Sequence, residues 1–186
     1  GEVHPANVAI AGAWIAGVGA EYSEGKETLD LEGLYLLPGL INGHFHLESS
    51  LLTPAEHARF ALPHGTTTVI LDPHEIANVL GLPGIQVLID ASKALPLDYF
   101  FMAPSCVPAT PLETAGAALT AKDLEKLLKN KRVLGLAEMM NYPGVLNKDP
   151  AVLEKIQTAR RQGKAIDGHA PLLSGKGLNA YVAAGM

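Results

Sequence analysis

Five times between residues 40 and 184 a short apolar run gives way to a segment with helical spacing or a helix-start signal, and this alternation restricts the fold more than any other feature. The runs are Leu40–Leu47, Thr66–Leu71, Tyr99–Met102, Val133–Met139 and Lys164–Ile166. Helical candidates follow them. One starts at Thr53-Pro54-Ala55-Glu56, with Thr as N-cap and Pro in the first turn, and another spans Gly84–Leu95. Thr120–Asp123 repeats the capping pattern before Leu124, Leu127 and Leu128, and Asp149-Pro150 opens a helix whose Val152, Leu153 and Ile156 share a face. Gly177–Ala184 is the last candidate. Strand-then-helix repetition calls for a parallel sheet with right-handed crossovers, either doubly wound or a (β/α) barrel.

The polar residues favour the barrel. His44, His46, Asp72, His74, Glu75, Ser105, Cys106, Glu138, Asn141 and His169 all fall at or just beyond the C-terminal ends of the expected strands. In a (β/α) barrel those ends converge on one active site. A doubly wound nucleotide binder would carry a glycine-rich turn after its first strand, and Gly39-Leu-Ile-Asn-Gly43 lacks that form. An eight-stranded barrel takes about 250 residues, so a chain of 186 residues with five units is expected to be a fragment. The absence of an initiator Met and the abrupt finish at Gly185-Met186 fit the same expectation, and open strand edges would then favour association.

Ahead of the barrel units, Val8–Ile10 and Trp14–Val18 flank the turn-prone Ala11-Gly12-Ala13 and read as a small β element. Thr28–Leu37 reads as a second extended stretch leading onward. The expected division is residues 1–37 as part of a small β domain and 38–186 as barrel.

A formal net charge of −5 without a Lys or Arg cluster argues against nucleic-acid or anionic-membrane partners. No apolar run approaches the length of a membrane span. Cys106 is the sole cysteine, so no intrachain disulfide forms, and the cytoplasm is the simplest location. Small-molecule chemistry is the default that remains.

His44 and His46 would share a strand face with Glu48, while Phe45 and Leu47 point away. Two imidazoles on a rigid strand suit zinc, iron, nickel or copper, and carboxylates extend the choice to manganese. Glu138, inside the apolar run Gly135–Met140, would be costly to bury without a cation. His169, in Ile166-Asp-Gly-His-Ala-Pro171, supplies a further donor from the fifth strand. His74 and Glu75 read either as a loop that caps the next segment or as a pocket pair or extra metal site. Cys106 reads as a pocket residue or, preferably, as a small buried one. His57 and His64 read as structural or solvated, and His4 carries no catalytic signal.

These residues resemble the amidohydrolase superfamily and, within it, the adenine deaminases. The resemblance rests on Leu37-Pro-Gly-Leu-Ile-Asn-Gly-His-Phe-His-Leu-Glu-Ser-Ser50, Leu62-Pro-His-Gly-Thr-Thr-Thr68, Asp72-Pro-His-Glu-Ile-Ala-Asn78, Pro104-Ser-Cys-Val-Pro-Ala-Thr110 and Gly135-Leu-Ala-Glu-Met-Met-Asn-Tyr-Pro-Gly-Val145. It implies a metal-dependent (β/α)8 barrel with a small β-sandwich domain and hydrolysis of adenine to hypoxanthine and ammonia, a purine-salvage reaction. It implies a binuclear manganese or iron centre, with zinc as an alternative. His44 and His46 would hold one ion, Glu138 would bridge in place of the superfamily's carboxylated lysine, and His169 would hold the second.

The superfamily's later histidine and aspartate are not in this chain. Glu48 and Glu75 are the candidates for proton handling, and His74, Cys106 and Asn141 for substrate contact. The full-length parent is expected to be a homo-oligomer. Other expectations are a barrel acting on another aminopurine or a cyclic amide, and a non-catalytic truncated scaffold.

Overall fold

A computed structural model describes residues 3–186. Two compact units divide at Pro38, the second spanning Gly39–Met186. In the first, β1 (Val8–Ala11) and β2 (Trp14–Val18) form an antiparallel hairpin. Gly12 turns the chain at φ 61°, a conformation that glycine reaches without a Cβ penalty. The expected extended stretch at 28–37 contains no strand; a turn closes there, with the Leu34 N–H donating to the Leu31 carbonyl. Glu32 and Gly33 both take positive φ in that turn, which breaks the extended run.

The second unit is a curled parallel sheet, part of a barrel, in the order β3-β4-β5-β6-β7. Its strands are β3 (Leu40–Phe45), β4 (Thr66–Leu71), β5 (Asp98–Ala103), β6 (Val133–Met139) and β7 (Ala165–Gly168). The helices are α1 (Pro54–Ala61), α2 (His74–Leu80), α3 (Leu82–Ser92), α4 (Ala121–Leu127), α5 (Tyr142–Leu146), α6 (Pro150–Arg161) and α7 (Gly175–Ala183). Alternate residues of the central strands, Val69 and Leu71, then Tyr99, Phe101 and Ala103, are buried in one core with Ile85, Ile89, Leu124 and Leu128. The two edge strands are barer: Leu40 and Ile41 on β3 stay largely exposed.

Helix starts follow the local chemistry. Thr53 caps α1 by accepting from the Glu56 N–H, and Thr120 and Asp123 form the full capping box of α4. Asp149 caps α6 through the Ala151 N–H.

Several elements shift by a few residues from the reading of the sequence, and three differences bear on the rim. β3 stops at Phe45, because Leu47 drops into the core and Glu48–Ser50 form a 3-10 turn. His74 and Glu75 open α2 rather than a loop, and a five-residue helix, α5, follows Asn141. Both helices are too short to show a periodic apolar face.

Candidate metal centre

Parallel pairing in chain order brings the C-terminal ends of β3, β4, β6 and β7 to one rim of the sheet. The Asp72 N–H donates to the Phe45 carbonyl at 3.0 Å, tying the β4 end to the β3 end just where the histidines emerge. His44 Nε2 and His46 Nε2 are 3.0 Å apart. His46 Nδ1 lies 2.9 Å from the Asp72 carbonyl oxygen, which only accepts. In a neutral ring Nδ1 therefore carries the proton, and Nε2 presents its lone pair inward, as a metal-ligating histidine does. On the outer side of His44, Nδ1 is 3.4 Å from Asp167 Oδ2. That carboxylate orients the ring in the same manner.

The Glu138 carboxylate divides the cluster. Its Oε1 faces His46 Nε2 at 3.6 Å and His74 Nδ1 at 3.8 Å. Its Oε2 faces His169 Nδ1 at 2.6 Å and His44 Nε2 at 3.9 Å. Glu138 is buried, at 7% exposure, near the end of an apolar strand. Ser105 Oγ holds the backbone there by donating to the Glu138 carbonyl at 2.6 Å. Next along β6, the Met139 carbonyl accepts from Tyr181 of α7 at 2.7 Å, and the same hydroxyl accepts the His169 N–H at 2.9 Å. One phenol thus fixes the β6 and β7 ends relative to each other.

Other candidates are placed differently. Glu48 does not join the histidines; its Oε1 accepts the Ile76 N–H at 3.1 Å and serves the first turn of α2. Burial raises its carboxyl above the usual value. Glu75 takes a bond from Ser49 Oγ at 3.1 Å through Oε1, while its Oε2 lies 3.6 Å from His46 Nδ1. Cys106 is buried, with Sγ donating toward Met139 Sδ at 3.7 Å and accepting the Asn141 N–H at 3.4 Å. The Asn141 side chain caps α5 by accepting from the Gly144 N–H at 3.0 Å.

Asp72 is the donor that the motif reading passed over as a ligand. It is 1% exposed, yet neither carboxylate oxygen has a hydrogen-bond partner. His74 Nδ1 is 3.2 Å away and likewise has no assigned hydrogen-bond partner. Burial raises the Asp72 carboxyl, and the adjacent Asp72 carboxylate pushes His74 up to about 9. Glu75 Oε2 and Glu48 Oε2 are also buried without partners. Buried polar atoms are normally satisfied, and unsatisfied atoms on Asp72 and His74 beside Glu138 fit a divalent cation among imidazoles and carboxylates. His46, Asp72, His74 and Glu138 each bring one ligand atom to within 4.8 Å of all the others.

Comparison with known proteins places this geometry. The adenine deaminase of Dehalococcoides mccartyi (strain ATCC BAA-2266 / KCTC 15142 / 195) is 56% identical over 185 residues. Adenine deaminase 2 of Carboxydothermus hydrogenoformans is 55% identical over 186 residues. In both cases the alignment takes in 100% of this chain and 32% of the relative. The adenine deaminase of Thermosipho melanesiensis is 53% identical over 184 residues, 98% of this chain and 32% of its own. The chain thus spans about a third of the length of the curated relatives it matches. The model of the Amidohydrolase family matches residues 35–186. That match takes in every strand of the curled sheet and every donor on its rim, and the chain belongs to the amidohydrolase family.

Proposed function

We propose that the protein containing this chain deaminates adenine, taking water and releasing hypoxanthine and ammonia, at a binuclear centre of manganese or iron. The carrying observation is the Glu138 carboxylate, buried between His46 on one oxygen and His169 on the other. That arrangement suits a bridge between two ions in the place where other amidohydrolases use a modified lysine. His44 and His46 supply the donors of one ion and His169 a donor of the second. The names of the relatives, all adenine deaminases, support the substrate.

The purine C6 carbon is a weak electrophile toward neutral water, and a bound dication supplies the missing reactivity by lowering the pKa of water to about 7. What the chain itself contributes is orientation and proton handling. Asp167 and the Asp72 carbonyl turn the His44 and His46 rings. Ser105 and Tyr181 lock the strand ends that carry Glu138 and His169. The exocyclic amine leaves only after it is protonated, so a carboxylate near the rim must deliver a proton to it. Glu75 suits that role better than Glu48, because its Oε2 lies 3.6 Å from His46 Nδ1 at the rim, whereas Glu48 serves the first turn of α2. A purine-salvage role, a cytoplasmic location and a homo-oligomeric parent complete the reading. Among the described residues no helix is long and apolar enough to cross a membrane.

The test is adenine-dependent ammonia release by the intact polypeptide loaded with Mn2+, with guanine and dihydropyrimidines as competitors. Adenine should be preferred, and Glu138→Ala should abolish turnover. Preference for another substrate, or full activity in Glu138→Ala, would defeat the proposal.

A further inference from the structure

The two-ion assignment leaves Asp72 and His74 without a task, although they are among the most deeply placed polar groups of the rim. Asp72 follows β4 directly, buried at 1% exposure, with both oxygens lacking hydrogen bonds. His74 opens α2, and its Nδ1 is buried and without a bond. Three of the separations among His46, Asp72, His74 and Glu138 approach those of a ligand shell, and all four ligand atoms lie within 4.8 Å of one another. In a tetrahedral site with metal–ligand distances near 2.1 Å, neighbouring ligand atoms lie about 3.4 Å apart. Here His74 Nδ1 is 3.2 Å from Asp72 Oδ2 and 3.8 Å from Glu138 Oε1, and His46 Nε2 is 3.6 Å from that same Glu138 oxygen.

We propose that Asp72 and His74 Nδ1 are direct ligands of the divalent ion on the Oε1 side of Glu138, joining His46 Nε2 and Glu138 Oε1 there, beside His44. This inference rests on the metal-centre reading of His46 and Glu138, and it adds β4 and the first turn of α2 to the elements that hold the ion. Two imidazoles with two carboxylates suit first-row dications such as Mn2+, Fe2+ and Zn2+. Pro73 is the only residue between Asp72 and His74, so both side chains are held by one rigid junction.

Equilibrium dialysis of the intact polypeptide against Co2+ and Mn2+, followed by metal analysis, tests the assignment. Asp72→Asn and His74→Gln should each weaken one ion by more than about 100-fold, beyond the 10–100-fold typical of outer-shell changes. His46→Gln should weaken the same ion. Because a variant at a buried site can fail to fold, the wild-type protein provides a second measurement. With 15N-labelled histidine, one equivalent of Zn2+ should move the His74 Nδ1 resonance into the metal-bound range.

If His46→Gln loses an ion while Asp72→Asn and His74→Gln bind as wild type and the His74 resonance stays put, Asp72 and His74 are an ion pair only and the inference is overturned. If His46→Gln also binds as wild type, or the wild type takes up no ion, the metal-centre reading itself falls and takes the inference with it.

Discussion

His169 Nδ1 stands 2.6 Å from Glu138 Oε2, so the donor contributed by β7 touches the carboxylate contributed by β6 directly. Two adjacent parallel strands thereby present a joined imidazole–carboxylate pair at the rim. In the proposed centre this contact is replaced by two bonds to one ion. His169→Gln should lower affinity for that ion by at least about 10-fold. His64→Gln, on the turn before β4, should leave it unchanged. Isothermal titration with Mn2+ reads both variants, and equal affinities would remove His169 from the ligand set.

Tyr181 is a buried phenol that donates to the Met139 carbonyl and accepts the His169 N–H. Tyr181→Phe removes both bonds and leaves two backbone groups unsatisfied. Each net bond is worth about 1 kcal/mol, so urea unfolding should show a loss of roughly 2 kcal/mol, and hydrogen exchange at the His169 amide should accelerate. An unchanged His169 amide would show that the phenol does not hold the β7 end.

Tyr99 is buried, donates to the Pro54 carbonyl at 2.8 Å and meets His57 Nδ1 at 2.7 Å. Burial pushes it up to about 12, against about 10 for an unfolded tyrosine. The folded state therefore holds this proton more tightly. The stabilisation is fully present below pH 10 and is lost as pH rises through 12. Tyr99→Phe should cost about 1 kcal/mol at pH 7 and should flatten the fall in stability between pH 10 and 12. Denaturant midpoints across that range would show it, the residual slope belonging to groups such as Tyr181, which burial also raises. Identical slopes in both proteins would contradict the assignment.

At Gly135 in β6 an added Cβ would sit 2.4 Å from the Ala165 carbonyl oxygen and 2.8 Å from Met102 Cε. Overpacking of this kind costs about 1–3 kcal/mol, so Gly135→Ala should be destabilising by that amount and should loosen β7. Gly43→Ala is the contrast, since nothing lies within 4 Å of its added Cβ. Similar unfolding midpoints for the two variants would contradict the close strand approach.

The order of strands and helices was readable because the central strands are chemically unambiguous. Thr66–Leu71 is apolar or β-branched throughout and Val133–Met139 is apolar but for Glu138, and both form strands with those bounds. The end of β3 was not readable in the same way. His44–Glu48 keeps a two-residue alternation past the last strand residue, and the pull of the α2 amide on Glu48 shows only in three dimensions. Strand-end position placed His44, His46, Glu138 and His169 among ten candidates, and the family resemblance singled out those four as ligands. Asp72 stands among the strand-end polar residues of the sequence, but nothing in the sequence gives it a role. What distinguishes it is burial without a partner, which no local pattern encodes.

Strand order in the sheet is also chain order, with no later strand inserted between two earlier ones. A nascent polypeptide can therefore add each strand to the free edge left by the last, without reopening what has already paired. Along such a route the histidines of β3 would wait while β4, β5 and β6 are added. Only the docking of β7 brings His169 against Glu138. An ion held between the histidines of β3 and the Glu138–His169 pair would act as a clasp that fastens β3 to β6 and β7.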